Sequence, residues 1–178
     1  MNNKTEIRRE IRRRIKELSP EYITSATKKI WTEVEHNKHF QDARCIALFV
    51  AMNDEVPTKP ALNRWSELGK RIVIPRVEGD IMRFYDYSPD RMTIGAFGIE
   101  EPTGDNEILA SQIDLIIVPA RAFTQSGIRL GRGGGFYDKY MGLPDFRAYK
   151  IGIAYECQIM ESLPYADHDI MVDEVVFA

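Results

Sequence analysis

"CIALFVAMNDEVPTKPALNRWSELGKRIVIP", residues 45 to 75, is the stretch from which the fold is read. Cys45 to Met52 form a short continuous apolar run, the pattern of a strand covered on both faces. "NDEVPT" then turns the chain. From about Thr58 the residues Ala61, Leu62, Trp65 and Leu68 recur at helical spacing and face inward, and Gly69 ends the helix. "RIVIP", Arg71 to Pro75, is a second buried strand, stopped by a proline that cannot donate to a ladder. Strand, helix and strand in succession build a parallel sheet with helices on its faces.

Working outward, "DLIIVP" at Asp114 to Pro119 repeats the buried-strand signature, and short strands are expected at Ile151 to Tyr155 and Met171 to Val176. "IMRFYDY", Ile81 to Tyr87, alternates apolar and polar residues and reads as a half-exposed or edge strand. Upstream, Ile7, Ile11, Ile15 and Leu18 place an amphipathic helix over Lys4 to Leu18. Ser19 caps a second helix with Pro20 at its first position, and Ile23, Ala26, Ile30 and Val34 carry its apolar stripe to about His36. "SPDRMTIGAFGIEEPTGD" is a surface excursion, because Pro89, Gly95, Gly98, Pro102 and Gly104 forbid long regular structure. In such sheets ligands collect at the carboxyl ends of the strands.

The 178 residues suit one domain, 1–178, and 44% hydrophobic with 29% charged residues and a net charge of -3 suit a soluble globular protein. With no cleavable apolar leader and no run long enough to span a bilayer, the chain is expected to be cytoplasmic, without a membrane partner. Cys45 and Cys157, each in an apolar run that reads as a strand, are then expected to be buried, reduced thiols. Residues 1–18 carry seven Lys or Arg against three Glu, a local charge of +4 that leaves about -7 on the remainder. An acidic body argues against a nucleic-acid partner.

"RLGRGGGFYDKY", Arg129 to Tyr140, follows a predicted strand and precedes a short helix expected to start near Phe136. Glycines let backbone N–H groups approach an anion, and Arg129 and Arg132 add charge-assisted contacts, so phosphate is the guest this stretch suits. Asp138 beside phosphate calls for a cation, and Mg2+ fits oxygen donors. A turn with solvated arginines is the alternative the pattern leaves open. No GxxxxGK[ST] is present, and Phe136 stands where GxGxxG needs its last glycine, so neither a P-loop nor a dinucleotide site is expected. A sugar-phosphate isomerase or acyl-CoA transferase of similar architecture would also use such a loop.

Four stretches in order, "FVAMNDEVPT", "FGIEEP", "GIRLGRGGGFYDKY" and "LPYADHDIMVDEVV", resemble the 5-formyltetrahydrofolate cyclo-ligase family over essentially the whole chain. The resemblance implies a three-layer α/β fold of Rossmann-like arrangement, with a mostly parallel sheet. The implied reaction is ATP- and Mg2+-dependent conversion of 5-formyltetrahydrofolate to 5,10-methenyltetrahydrofolate through a phosphorylated formyl group, in a monomer. ATP contacts carried over are Lys4, Arg8, Arg129, Leu130, Gly131, Arg132, Gly133, Gly134, Gly135, Phe136 and Tyr137. Without the resemblance, Lys4 and Arg8 would read as part of a solvated basic helix face.

Folate contacts carried over are Val50, Glu55, Arg132, Gly133, Gly134, Gly135 and Phe136, although Val50 also suits an ordinary core strand. Arg129, Arg132 and Tyr137 are the implied catalytic groups, with a packed aromatic the other reading of Tyr137. Asp138 and Asp169 are the implied metal ligands, His168 is expected to orient its loop, and Asp173 to be strand-end surface. The chain departs from the family at Phe136, where many members carry tyrosine, and at Phe97, where larger relatives often carry tryptophan.

Overall fold

The structure is a computed structural model that describes residues 3–178. Helix α1 (Lys4–Lys16) buries Ile7, Ile11 and Ile15, and the Asn3 carboxamide caps it by accepting from the Thr5 and Glu6 N–H groups. It ends two residues before Leu18, because Ser19 precedes proline and is held extended, where its hydroxyl accepts from the Tyr22 N–H at 3.0 Å. Helix α2 (Pro20–His36) follows, burying Ala26, Ile30, Trp31 and Val34. A short helix not anticipated, α3 (Lys38–Asp42), is capped by Asn37 and leads into strand β1 (Cys45–Ala47).

Helix α4 (Lys59–Glu67) connects β1 to β2 (Arg71–Glu78), which turns back as β3 (Ile81–Asp86). Ala61, Leu62 and Trp65 of α4 are buried, but Leu68 lies at the helix C-cap and is 54% exposed, not inward. Strands β4 (Met92–Ile94) and β5 (Glu100–Pro102) form a small hairpin sheet within the expected excursion, and β6 (Glu107–Ile108) follows. Then come β7 (Leu115–Val118), the two-residue pair β8 (Ala122–Phe123) and β9 (Arg129–Leu130), helix α5 (Phe136–Met141), β10 (Tyr149–Ala154) and β11 (Glu174–Phe177).

The central sheet has seven strands in the order β11-β10-β7-β1-β2-β3-β6. Pairings from β11 through β2 are parallel, and β2–β3 and β3–β6 are antiparallel. Alternation along the strands splits the core in two. Ile46, Ile72, Ile74, Leu115, Ile117, Ile151 and Ile153 face the cluster that holds α1, α2 and α4. Cys45, Ala47, Val73, Ile116, Val118 and Ala154 face the other cluster, which holds Tyr140 and Met141 of α5. Helices on both faces give the three-layer α/β arrangement expected.

Several strand bounds are corrected. The run from Cys45 to Met52 forms strand only as far as Ala47; the Leu48 N–H still donates to the Val73 carbonyl at 3.0 Å, and Phe49 stays buried beyond the strand. An apolar run reports burial, not pairing. Pro75 does not stop β2, because the pairing with β1 covers only Arg71 to Val73 and beyond it β2 needs only β3. On its open side the Val77 N–H donates to the Glu101 carboxylate at 2.7 Å. Strand β3 is next to last, with β6 outside it. Strand β11 starts at Glu174, since the preceding segment is used elsewhere: the Val172 N–H donates to the Gly127 carbonyl at 2.9 Å. Cys157 lies in a single turn of 3-10 helix rather than a strand, and both cysteines are free, Cys45 buried and Cys157 half-buried.

Candidate active site

The chain leaves β1 in one direction through α4 to β2, and later lays β7 against the opposite edge of β1. The crevice beyond the carboxyl ends of β1 and β7 is thus the place where strand order reverses. A cavity of about 460 Å3 lies there, lined by Phe49, Val50, Met52 and Glu55 after β1 and by Pro119 and Ala120 after β7. Pro75, Val77 and Met82 of the β2–β3 extension form an apolar wall, and Phe97, Ile99 and Glu101 of the β4–β5 hairpin close another side. The remaining lining comes from α1, the glycine-rich loop and the His168–Asp169 turn, and the whole set includes every site residue expected from sequence.

Lys4 and Arg8 are one turn apart on α1, and burial of Ile7 and Ile11 fixes the helix so that both reach this cavity. The Lys4 ammonium lies 3.3 Å from Asp169 Oδ2, and Arg8 Nε donates to the Gly131 carbonyl at 2.8 Å. Arg13 and Arg14 instead pair with Glu10 on the surface.

The glycine-rich loop needs its glycines for distinct reasons. Gly133 and Gly135 have φ of 115° and 72°, which side chains rarely adopt, and Gly135 is the residue before α5. A Cβ on Gly134 would lie 2.7 Å from the Phe136 ring. The first hydrogen bond of α5 runs from the Lys139 N–H to the Gly135 carbonyl, so the N–H groups of Phe136, Tyr137 and Asp138 have no helical partner. Beneath them Arg129 is 7% exposed, with Nη1 donating to Asp138 Oδ1 at 2.8 Å. Its Nε is a buried donor with no partner among the described residues. Burial lowers the pKa of Arg129, opposed by the Asp138 carboxylate.

Asp138 also accepts from the Ile170 N–H at 2.9 Å, which ties α5 to the turn that carries Asp169. Asp169 accepts from the Ala166 N–H at 2.8 Å; against the effect of burial, that bond and Lys4 hold its pKa below the usual carboxylate range. His168 stands 3.4 Å from Asp169 with its side chain 80% exposed. Asp173 is exposed immediately before β11, the strand-end surface position expected, and it also accepts from the Lys150 N–H at 2.7 Å.

Across the cavity, Glu55 accepts from the Met52 N–H at 2.8 Å and its side chain is 11% exposed. Burial raises its pKa, opposed by Arg132, whose Nε is 3.6 Å away. Burial, reinforced by the Glu55 charge, raises the Tyr137 pKa and keeps its phenol a neutral donor, with Arg129 acting the other way. Lys4 and Arg129 therefore pair with Asp169 and Asp138, Arg8 holds the glycine-rich loop, and Arg132 faces the buried Glu55 carboxyl, with apolar walls completing the cavity. Such a site can take an anionic group and a flat, hydrogen-bonding apolar one together.

Sequence reading missed Phe49, Met52, Pro75, Val77, Met82, Ile99, Glu101, Pro119 and Ala120 as cavity lining. Glu101 had a signal, its place in "FGIEEP", and it is 8% exposed. The others are ordinary apolar residues whose role comes from where the sheet opens. Among the described residues no group of three or more His, Cys, Asp or Glu could hold a metal by itself. No helix among them is long and apolar enough to cross a membrane.

The model of the 5-formyltetrahydrofolate cyclo-ligase family matches residues 1–178. The 5-formyltetrahydrofolate cyclo-ligase of Escherichia coli strain K12 is 32% identical over 176 residues, covering 93% of this chain and 95% of its own. The mouse enzyme of the same name is 30% identical over 187 residues, covering 96% and 91%. The NMR structure of Aquifex aeolicus 5,10-methenyltetrahydrofolate synthetase superposes with a TM-score of 0.87 at 31% identity, over 98% of this chain and 89% of that one. With the family match end to end, and an overall fold shared with a solved relative, the chain belongs to the 5-formyltetrahydrofolate cyclo-ligase family.

Proposed function

We propose that this protein converts 5-formyltetrahydrofolate to 5,10-methenyltetrahydrofolate at the expense of ATP, releasing ADP and phosphate. The observation that carries the reading is the convergence of Lys4, Arg8, Arg129, Arg132, the glycine-rich loop, Glu55, Asp138 and Asp169 on one cavity. Family membership supplies the reaction class.

The triphosphate lies against Gly131 to Tyr137, where backbone N–H groups are uncovered and Arg129, Arg132, Lys4 and Arg8 neutralise charge. The pterin end faces Glu55, Val50 and Phe136, with the carboxyl receiving the ring N–H donors. An amide-like formyl oxygen is a poor leaving group, and phosphorylation converts it into a good one. Its oxygen attacks the γ-phosphorus; that O–P bond forms as the bond to the β,γ-bridging oxygen breaks, and ADP departs. The folate 10-nitrogen then attacks the resulting iminium carbon, the C–N bond forms, the nitrogen's proton is lost and phosphate leaves with the C–O bond.

Arg129 and Arg132 act on the charge of the transferring phosphoryl, and Tyr137 donates its neutral hydroxyl near the reacting groups. Two carboxylates, with no cluster of three or more His, Cys, Asp or Glu among the described residues, suit Mg2+, which takes other ligands from phosphate oxygens and water. Asp138 and Asp169 would hold that ion, which supplies neutralisation of triphosphate charge when bound.

The test is absorbance at the methenyl-folate band after mixing protein, Mg·ATP and 5-formyltetrahydrofolate, with ATP omitted as the control. Growth that requires ATP is expected. A folded protein that gives none, beside an active relative as control, would overturn the reading. We place the enzyme in the cytoplasm as a monomer; elution at about twice 20.5 kDa in gel filtration would contradict the second point.

A further inference from the structure

Asp54 and Arg121 do not line the cavity, yet they hold one of the residues that does. The Asp54 carboxylate bridges two guanidinium groups, with Oδ2 2.5 Å from Arg121 Nη1 and Oδ1 2.5 Å from Arg132 Nη2. The two arginines differ in freedom. Arg132 sits on the glycine-rich loop with its side chain 34% exposed. Arg121 has a side chain only 10% exposed and a fixed backbone: its N–H donates to the Leu130 carbonyl at 2.7 Å, and its carbonyl accepts from Gln158 Nε2 at 3.1 Å. Gln158 is itself 4% exposed and accepts from the Tyr155 N–H at 2.8 Å. Arg121 is thus pinned from the core side while Arg132 faces the cavity.

A carboxylate paired with Arg132 alone would cancel the charge that Arg132 brings to an anion, and would bind it in competition with that anion. Glu55 also faces Arg132, with 3.6 Å to its Nε, but burial pushes that carboxyl toward its neutral form, so two arginines on the Asp54 carboxylate leave positive charge for an anion. We propose that Arg121 is a positioning residue for the nucleotide site: it neutralises Asp54 from the buried side, so that Asp54 orients Arg132 without cancelling its charge toward the phosphates. This rests on the assignment of the anion as the triphosphate of ATP. Arg121 touches neither substrate and acts only through Asp54.

The test is the dissociation constant of Mg·ATP by titration calorimetry for the wild-type chain, Arg121→Met, Asp54→Asn and the double variant. Arg121→Met should weaken binding about tenfold or more, since Asp54 then turns its whole charge on Arg132. Adding Asp54→Asn should restore affinity to within about threefold of wild type, which a merely structural role for Arg121 would not allow. Asp54→Asn alone keeps one acceptor oxygen and turns an NH2 donor on the second guanidinium, so it should weaken Mg·ATP binding, but by less than Arg121→Met, because no charge then cancels that of Arg132. An Arg121→Met variant within about twofold of wild type, or a loss that the second substitution does not relieve, would overturn the proposal. Should Arg121→Met not fold, Arg121→Gln is measured in its place: binding within about twofold of wild type would overturn the proposal, and a loss relieved by Asp54→Asn would support it. A wild-type chain that does not bind Mg·ATP overturns the nucleotide reading itself.

Discussion

Gly152, in the middle of β10, shows what one position can demand. A Cβ there would stand 2.5 Å from the Phe123 ring, and both residues are buried. Gly152→Ala must push a packed aromatic aside, so a loss of about 1–3 kcal/mol in chemical denaturation is expected, with little effect on the chemistry of the cavity. Asp138 makes a different demand. Its oxygen accepts from Arg129 and from the Ile170 N–H, bonds that an amide oxygen can keep. Asp138→Asn is therefore expected to fold normally by circular dichroism and to lose Mg2+-dependent turnover by about a hundredfold or more. An unchanged rate would remove Asp138 from the proposed metal site.

Elements are tied to one another by a few polar residues, of which Asp114 is the clearest. Its carboxylate accepts from the Arg44 and Cys45 N–H groups at 2.9 and 3.0 Å and from Arg147 at 2.6 Å, joining β7 to β1 and to the approach of β10. Partial burial opposes these bonds, but they win, and the Asp114 pKa lies below its usual value. A carboxyl depressed in the folded state stabilises the fold above its unfolded pKa, and that contribution is lost as pH falls through the folded pKa. Asp114→Ala is expected to cost about 1–3 kcal/mol near neutral pH by urea denaturation. The gap from wild type should narrow below about pH 4 as the wild-type carboxyl protonates. A gap that stayed constant down to pH 2 would show that the charge contributes nothing.

Over the full chain, the cavity draws together α1 at one end of the sequence, the β1 and β7 exits in the middle, and the Asp169 turn near the other end. A ligand that bridges those parts stabilises the fold as a unit. At a hundred times its dissociation constant, Mg·ATP is expected to add about 2.7 kcal/mol, which raises the thermal midpoint of a chain this size by several degrees. The rise should be smaller in Asp138→Asn. No rise in the wild type at saturating Mg·ATP would contradict the proposed nucleotide site.

The helices α1, α2 and α4, the buried strands and the glycine-rich loop were legible in the sequence because burial, capping and positive φ are local demands that leave residue-type signatures. Ile7, Ile11 and Ile15 repeat at helical spacing, Ser19 and Pro20 mark a helix start, and no other residue relieves the backbone at Gly133 and Gly135. Family membership, too, was carried by the order of four motifs. Only the tertiary structure decided where β1 stops pairing, that β2 runs on through Pro75, and which plain apolar residues wall the cavity. It alone brought Arg121 to Asp54 across 67 positions of sequence. Pairing and contact depend on what the rest of the chain places alongside, and an isolated stretch of sequence holds no record of its neighbour.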